Sequence, residues 1–193
     1  MLFVVAAFVG VVFLALKVVP KISPERFERY GRYTFVVRNE TLTVVSLFPS
    51  EDRAMVLLVP TDLYVGSAHG YGQIKAGSLF NAGELDHRGN LVVKDTLSDL
   101  LGLDVSQVIS QTGQIINQDK QINRWVFFSE AFWKQAKLDN FLEMFKIAKT
   151  WSTLRSDKVH VFSLGDFAYS SETILADGST AQTLDQENVD KLI

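Results

Sequence analysis

Arg53–Asp62 reads RAMVLLVPTD. Met55 to Val59 is an unbroken run of five apolar residues, long enough for a buried strand and too short for a globular helix, and Pro60 forbids the ladder from continuing. Polar side chains therefore begin where the strand stops. Thr61, Asp62, Tyr64, His69, Tyr71 and Lys75 follow in quick succession, at the kind of strand end where open α/β sheets carry their sites. Pro60, Thr61 and Asp62 equally suit a turn with its own cap, so site and turn stand as alternatives.

Upstream, Thr34 to Val37 and Thr41 to Phe48 are rich in β-branched and aromatic residues, with Arg38-Asn39-Glu40 as a polar turn between them. That is a hairpin pattern, and the central strand makes three strands in succession. Downstream, His69-Gly70-Tyr71-Gly72 suggests close backbone approach or positive φ, well short of a phosphate-binding loop. Gln73 to Leu85 reads as a helix weakened by Gly77 and Gly83. Leu91 to Leu101 is a stronger one, with Asn90 as cap, Leu97, Leu100 and Leu101 at helical spacing and Gly102 as the stop.

Val105 to Ile109 suits a short strand, Gln111 to Asn123 a loop, Arg124 to Phe128 another strand, and Ser129 to Ala136 a helix capped by Ser129. Leu138, Phe141, Leu142, Phe145 and Ala148 give an amphipathic helix closing on Lys146 and Lys149. Lys158 to Leu164 alternates as a strand, with Gly165 and Asp166 following it. A closing helix runs from Ala181 or Thr183 to Ile193. Hairpin, strand, helices and further strands predict an α/β fold, a three-layer or two-layer sandwich on a mixed central sheet.

The 193 residues carry a formal charge of -3 with acids and bases interspersed, so nothing steers the whole chain toward nucleic acid. Without cysteine there are no disulfides, thiolate nucleophiles or cysteine zinc sites. His69, His87 and His160 are too widely spaced to form a recognisable ligand pattern.

Met1 to Leu16 has no charged or polar side chain, and only Lys17 interrupts the apolar run to Val19. As a helix it would span roughly 28 Å, just enough for a hydrocarbon core of about 30 Å, and Pro20 ends it. Residues 1–20 therefore read as one transmembrane anchor, with a cleaved signal or a buried helix as alternatives. Residues 21–32 form a juxtamembrane segment, in which Ser23 to Tyr30 suits a short interfacial helix, and residues 33–193 form the domain. Lys17, Lys21, Arg26, Arg29 and Arg32 all follow the apolar run, which by the positive-inside rule leans toward a cytoplasmic domain.

The segment MVLLVPTDLYV, Met55 to Val65, resembles the part of the LytR-CpsA-Psr family in which a buried strand ends in proline-arginine-aspartate. Gln73 to Glu84 is similar to the family helix with its asparagine-alanine pair, and Leu91 to Asp104 to the next helix with its Leu-Leu-Gly end. The strand at Lys158 to Leu164, a polar hairpin and a terminal Asp-Gln-Glu-Asn helix also resemble the family. The resemblance implies an N-terminal membrane helix and an extracytoplasmic α/β/α domain that transfers glycopolymers from a polyprenyl-phosphate carrier to the cell envelope. It thereby opposes the charge argument on orientation.

The resemblance further implies several arginines on the lipid pyrophosphate, whose forked contacts suit it, and a divalent cation such as magnesium beside acidic residues. Here Thr61 stands where the arginine before Asp62 is expected, and Asp52 is followed by Arg53 and Ala54. Between Ile109 and Phe141 the sole arginine is Arg124. The resemblance therefore implies a reduced relative, a noncatalytic binding or scaffolding protein in envelope glycopolymer assembly. The alternative is a phosphotransferase with altered residues. Implied partners are membrane lipid and a polyprenyl phosphate or cell-wall glycan. Arg53, Asp62, His69, Tyr71, Lys75, Asn81 and Arg124 are the expected ligand contacts, and Asp52 with Asp62 the expected ion ligands.

Overall fold

The computed structural model describes residues 31–39, 41–110, 115–116, 123–135, 141–167, 169–174 and 180–184. The segment 1–20, expected to be an anchor, and nearly all of the expected juxtamembrane segment lie outside them. Among the described residues no helix is long and apolar enough to cross a membrane.

The hairpin and the central strand form as their sequences dictate. β1 (Tyr33–Arg38), β2 (Leu42–Phe48) and β3 (Arg53–Val59) make an antiparallel meander, with Phe35 opposite Val45 and Val45 opposite Val56. Then β4 (Leu63–Gly66), β5 (Gln73–Lys75), α1 (Leu79–Glu84) and α2 (Gly89–Leu101) lead to β6 (Val105–Ser110), which pairs parallel to β1. After α3 (Glu130–Trp133) and α4 (Phe141–Thr153), β7 (Val159–Ser163) pairs parallel to β3. The central sheet is thus ordered β6-β1-β2-β3-β7, with β2 alone running against the rest. The chain continues through α5 (Leu164–Phe167), β8 (Tyr169–Ile174) and β9 (Thr180–Leu184), and β5, β4, β9 and β8 make a second sheet.

Side chains alternate across a strand, and here both faces are buried. Tyr33, Phe35, Val37, Val45, Leu47, Ala54 and Val56 face a core layer closed by Phe127, Phe132 and the α4 residues Met144, Ile147, Ala148 and Trp151. Val36, Leu42, Val44 and Val59 face the other layer, against Leu79 of α1 and Val92, Val93 and Leu97 of α2. Of the two sandwiches the sequence allows, the three-layer form is the one adopted. The polar pair Thr34 and Ser46 survives burial because their hydroxyls bond each other at 2.8 Å.

Several segments depart from expectation. Gln73–Lys75 is a strand, because it pairs with Gly66, Val65 and Tyr64; only Leu79–Glu84 of the expected helix is α-helical. Arg124–Phe128 is a turn and one turn of 3-10 helix. Asn123 Oδ1 accepts the Trp125 amide at 3.2 Å, curling the chain where its apolar character alone suits a strand. α3 stops at Trp133, although Ser129 Oγ does accept the Phe132 amide as its cap. α4 covers Phe141–Thr153, beyond Lys149, while Leu138 lies outside the described residues, and Gly165 and Asp166 lie within a short helix. α2 begins at Gly89, ahead of the expected cap at Asn90, and ends at Gly102 with φ 60° as anticipated. Residues 180–184 are a strand of the second sheet, so the closing helix does not begin there; residues 185–193 lie outside the described residues.

α1 and α2 meet at Gly83. A Cβ there would lie 2.6 Å from Val92 Cγ2, 3.0 Å from Gly89 Cα and 3.1 Å from the Arg88 carbonyl carbon. Helix propensity favours alanine by about 1 kcal/mol, but two of these neighbours are backbone and cannot step aside. Overpacking of this kind costs about 1–3 kcal/mol. Gly83→Ala is therefore expected to lower the urea unfolding midpoint, the reverse of the usual effect of a helical Gly→Ala change.

Candidate functional site

β1, β3, β6 and β7 run in one direction, so their carboxyl ends share one edge of the sheet. At that edge lies a cavity of about 190 Å³, lined by Arg38, Asn39, Thr41, Leu42, Thr61, Ala76, Gly77, Phe80 and Asn81. Its walls come from three places: the β1–β2 turn, the turn after β3, and the start of α1. The Leu63 amide donates to the Pro60 carbonyl, closing the turn after β3, and the Gly77 amide donates to the Thr61 carbonyl at 2.9 Å. Gly77 suits that approach, since a Cβ there would sit 3.0 Å from Thr61 Cβ, a tight contact.

Arg38 is the last residue of β1 and the one cation among the described residues lining the cavity. Its guanidinium lies over the Phe80 ring, 3.6 Å from the centroid, and its Nη2 donates to Ser110 Oγ at 2.9 Å. Its Nε is shielded from water without an acceptor. Burial pulls the guanidinium below its ordinary pKa, and Glu84 partly opposes that through space without an ion pair. An arginine keeps its charge under such conditions. The result is a partly desolvated cation, fixed in orientation and without a carboxylate partner among the described residues, at the mouth of a small polar cavity.

Of the residues expected from the sequence, Asn81 alone lines this cavity. Asp62 is exposed in the turn beside it. Lys75 precedes Ala76 and extends its Nζ over the Tyr64 ring at 5.9 Å. His69, with φ 64°, bonds Asp95 at 2.7 Å. Tyr71 donates to Asp86 at 2.6 Å, and that bond holds the phenol above its ordinary pKa, because ionisation would set it against a carboxylate.

Arg53 and Arg124 belong to the opposite end of the sheet. β3 separates Arg53 from Val59 by roughly 20 Å, and Arg53 pairs there with Glu51 over the Phe48 ring. Arg124 donates to Ser156, three residues before β7, whose first residue Val159 lies beside Ala54. Asp52 precedes β3 and Asp62 follows it, so the two carboxylates do not fit a shared ion. No cluster of three or more His, Asp or Glu suited to a metal occurs among the described residues.

The loop between β4 and β5 is held down on α2 by one buried side chain. Thr96, 1% exposed, accepts the Ala68 amide at 2.8 Å. Thr96→Val keeps the shape but removes the acceptor. The expected result is a loss of about 1–3 kcal/mol in denaturant unfolding and faster amide exchange at Ala68.

Compared with solved structures, the chain superposes on TagT, described as a LytR-CpsA-Psr family protein and solved with bound octaprenyl pyrophosphate lipid. The TM-score is 0.58 at 12% identity, covering 89% of this chain and 91% of that one. TagT bound to LI-WTA gives 0.56 at 12% identity, covering 89% and 92%. TagV of Bacillus subtilis gives 0.54 at 11% identity, covering 83% and 94%. The chain has the LytR-CpsA-Psr fold. No protein-family model matches the sequence, and no curated protein matches it either. What is shared is therefore the backbone architecture over nearly the whole of each LytR-CpsA-Psr chain. At about one residue in eight identical, side-chain chemistry has to be read from this protein's own site.

For that chemistry Arg38 is the residue the sequence reading passed over as part of a turn. A signal was present: it ends an apolar strand with the same parity as Thr34 and Val36, which both point into the α1–α2 layer.

Proposed function

We propose that this protein is a membrane-anchored, extracytoplasmic binding module for envelope glycopolymer assembly, which holds the anionic head of a polyprenyl-phosphate-linked glycan without transferring it. The observation that carries this reading is Arg38, a partly desolvated and oriented guanidinium without an ion-pair partner among the described residues, in the cavity at the sheet's carboxyl edge. A forked guanidinium suits phosphate oxygens, and an anion beside it compensates a charge that burial has partly shielded from water.

Size points the same way. Sites that enclose a whole small molecule run to about 300–1,000 Å³. A cavity of about 190 Å³ suits a head group whose lipid and sugar parts extend outside it. Transfer demands more. A departing pyrophosphate develops charge that several fixed cations or a metal must stabilise, whereas the described cavity residues supply one guanidinium and the sheet length holds Arg53 and Arg124 at the far end. TagT, of the same fold, was solved with octaprenyl pyrophosphate and with LI-WTA, which supports the ligand class. The apolar run Met1–Val19 supports the anchor.

The test is binding and turnover of a polyprenyl-pyrophosphate-linked glycan by the full chain in detergent or nanodiscs. Saturable binding with the glycan left on its carrier is the expected result. Transfer to an acceptor glycan, or no binding, overturns the reading.

A further inference from the structure

Ser110 closes β6 where Arg38 closes β1, and the two are register partners. Its hydroxyl accepts from Arg38 Nη2 at 2.9 Å and so sets the direction of the guanidinium. β6 comes last in the sheet order, so its end is held by a neighbouring strand on the β1 side. On Ser110 a side chain adds a second hold. Gln135 Oε1 accepts the Ser110 amide at 2.8 Å, and Gln135 Nε2 donates to the Ser110 carbonyl. One carboxamide thus meets both backbone groups of a single residue, as a paired strand would.

Gln135 is itself anchored. It follows α3 directly, its amide donates to the Phe132 carbonyl at 3.1 Å, and Phe132 is fully buried with its ring 5.3 Å from that of Phe127. That core covers one face of the sheet, whereas Phe80, under the Arg38 guanidinium, packs with the layer on the other face. Ser110 therefore joins the cation of the cavity to the opposite layer. We propose that Gln135 is a positioning residue for the anion site: it holds Ser110, and through Ser110 it holds Arg38 in the orientation that receives a phosphate head. The inference rests on the binding role proposed for Arg38. Gln135 is not among the residues lining the cavity, so its effect passes through Ser110. A long side chain already fixed in place loses less freedom when a ligand arrives, and affinity then depends on the groups that fix it as well as on its charge.

The test is titration of the full chain in detergent with octaprenyl pyrophosphate, for wild type, Gln135→Met, Ser110→Ala, Ser110→Thr and the double variant Gln135→Met with Ser110→Ala. Methionine keeps the length of the side chain and loses both bonds to Ser110. Gln135→Met and Ser110→Ala should each weaken binding about three- to tenfold. Ser110→Thr, which keeps the hydroxyl, should stay near wild type, and the double variant should bind no more weakly than Ser110→Ala alone. A substitution that merely loosened the fold would lower affinity in the Ser110→Ala background too, and unfolding midpoints would expose it.

A second readout needs no ligand. In NMR spectra of the isotope-labelled chain, with the Arg38 signals assigned from an Arg38→Lys variant, rotation about the Cζ–Nη2 bond should be slow in wild type and severalfold faster in Gln135→Met and in Ser110→Ala. Wild-type affinity in Gln135→Met, with binding lost in Arg38→Ala, overturns this inference and leaves the binding role of Arg38 standing. Unchanged affinity in both removes that role and this inference with it. A further loss of affinity in the double variant, or an Arg38 guanidinium as restricted in Gln135→Met as in wild type, also overturns it.

Discussion

Arg38→Ala is expected to lower affinity for a polyprenyl-pyrophosphate ligand roughly 10- to 150-fold, the equivalent of about 1.5–3 kcal/mol for a charge-assisted contact. The size follows from the setting. An exposed lysine against a phosphate is screened by water and salt, whereas Arg38 is partly buried, oriented by Ser110 and stacked on Phe80. Arg38→Lys keeps the charge but loses both the fork and the stacking, so it should recover only part of the binding. Isothermal titration with wild type and the two variants separates these outcomes, and unfolding midpoints show whether the alanine variant stays folded. Its stability is expected to change little, since losing the Phe80 contact is offset by removing a partly desolvated charge. Unchanged affinity in Arg38→Ala would place the ligand elsewhere and remove the basis of the binding proposal.

The largest stability effect is expected at Trp151. Its ring is fully buried against the edge of Phe127 at 5.6 Å, and its indole N–H donates to the Asn123 carbonyl at 3.0 Å. Trp151→Ala should cost about 3–5 kcal/mol, a large part of the roughly 5–15 kcal/mol that an ordinary domain has. It also frees the turn at Asn123 that directs Phe127 into the core. Trp151→Phe should cost clearly less, because the cavity is mostly filled and the missing hydrogen bond is worth about 1 kcal/mol. Denaturant unfolding followed by far-UV circular dichroism measures both. Equal losses in the two variants would show that the hydrogen bond, rather than the packed ring, holds α4 in place.

Where one face of the pattern was decisive, the sequence was legible. Five apolar residues before Pro60 could only be a strand, Leu97, Leu100 and Leu101 before Gly102 could only be a helix end, and the hairpin before them followed from β-branched runs. Arg124–Phe128 was ambiguous for a physical reason: RWVFF is as good a strand as any, and its actual shape depends on Asn123 curling the backbone and on Phe127 meeting Phe35, Phe132 and Trp151. Thr180–Leu184 is a strand partly through Leu63 and Tyr64, distant in sequence, which local composition does not encode, whereas Gln73–Lys75 is a strand because it folds back on Tyr64–Gly66.

The site was legible in its location and less so in its membership. The strand end after Val59 does border the cavity, and Thr61 and Asn81 line it. Arg53 and Arg124 were misplaced because closeness to the central strand in sequence says nothing about which of its two ends a residue occupies. Arg38 was hidden because an arginine before Asn39 and Glu40 resembles a solvated turn, and only the pairing of β1 with β6 brings Ser110 alongside to hold it.

The order β6-β1-β2-β3-β7 carries a kinetic consequence. The three inner strands are contiguous in the chain and joined by tight turns, so their alignment requires little loop closure. Both outer strands come from far downstream: Ala54 must find Val159, and Val36 must find Val108. Refolding should therefore begin with a rapidly formed central meander and be limited by the late docking of its two flanks. Substitutions in β7 would then mainly accelerate unfolding, whereas those in β2 would slow folding itself.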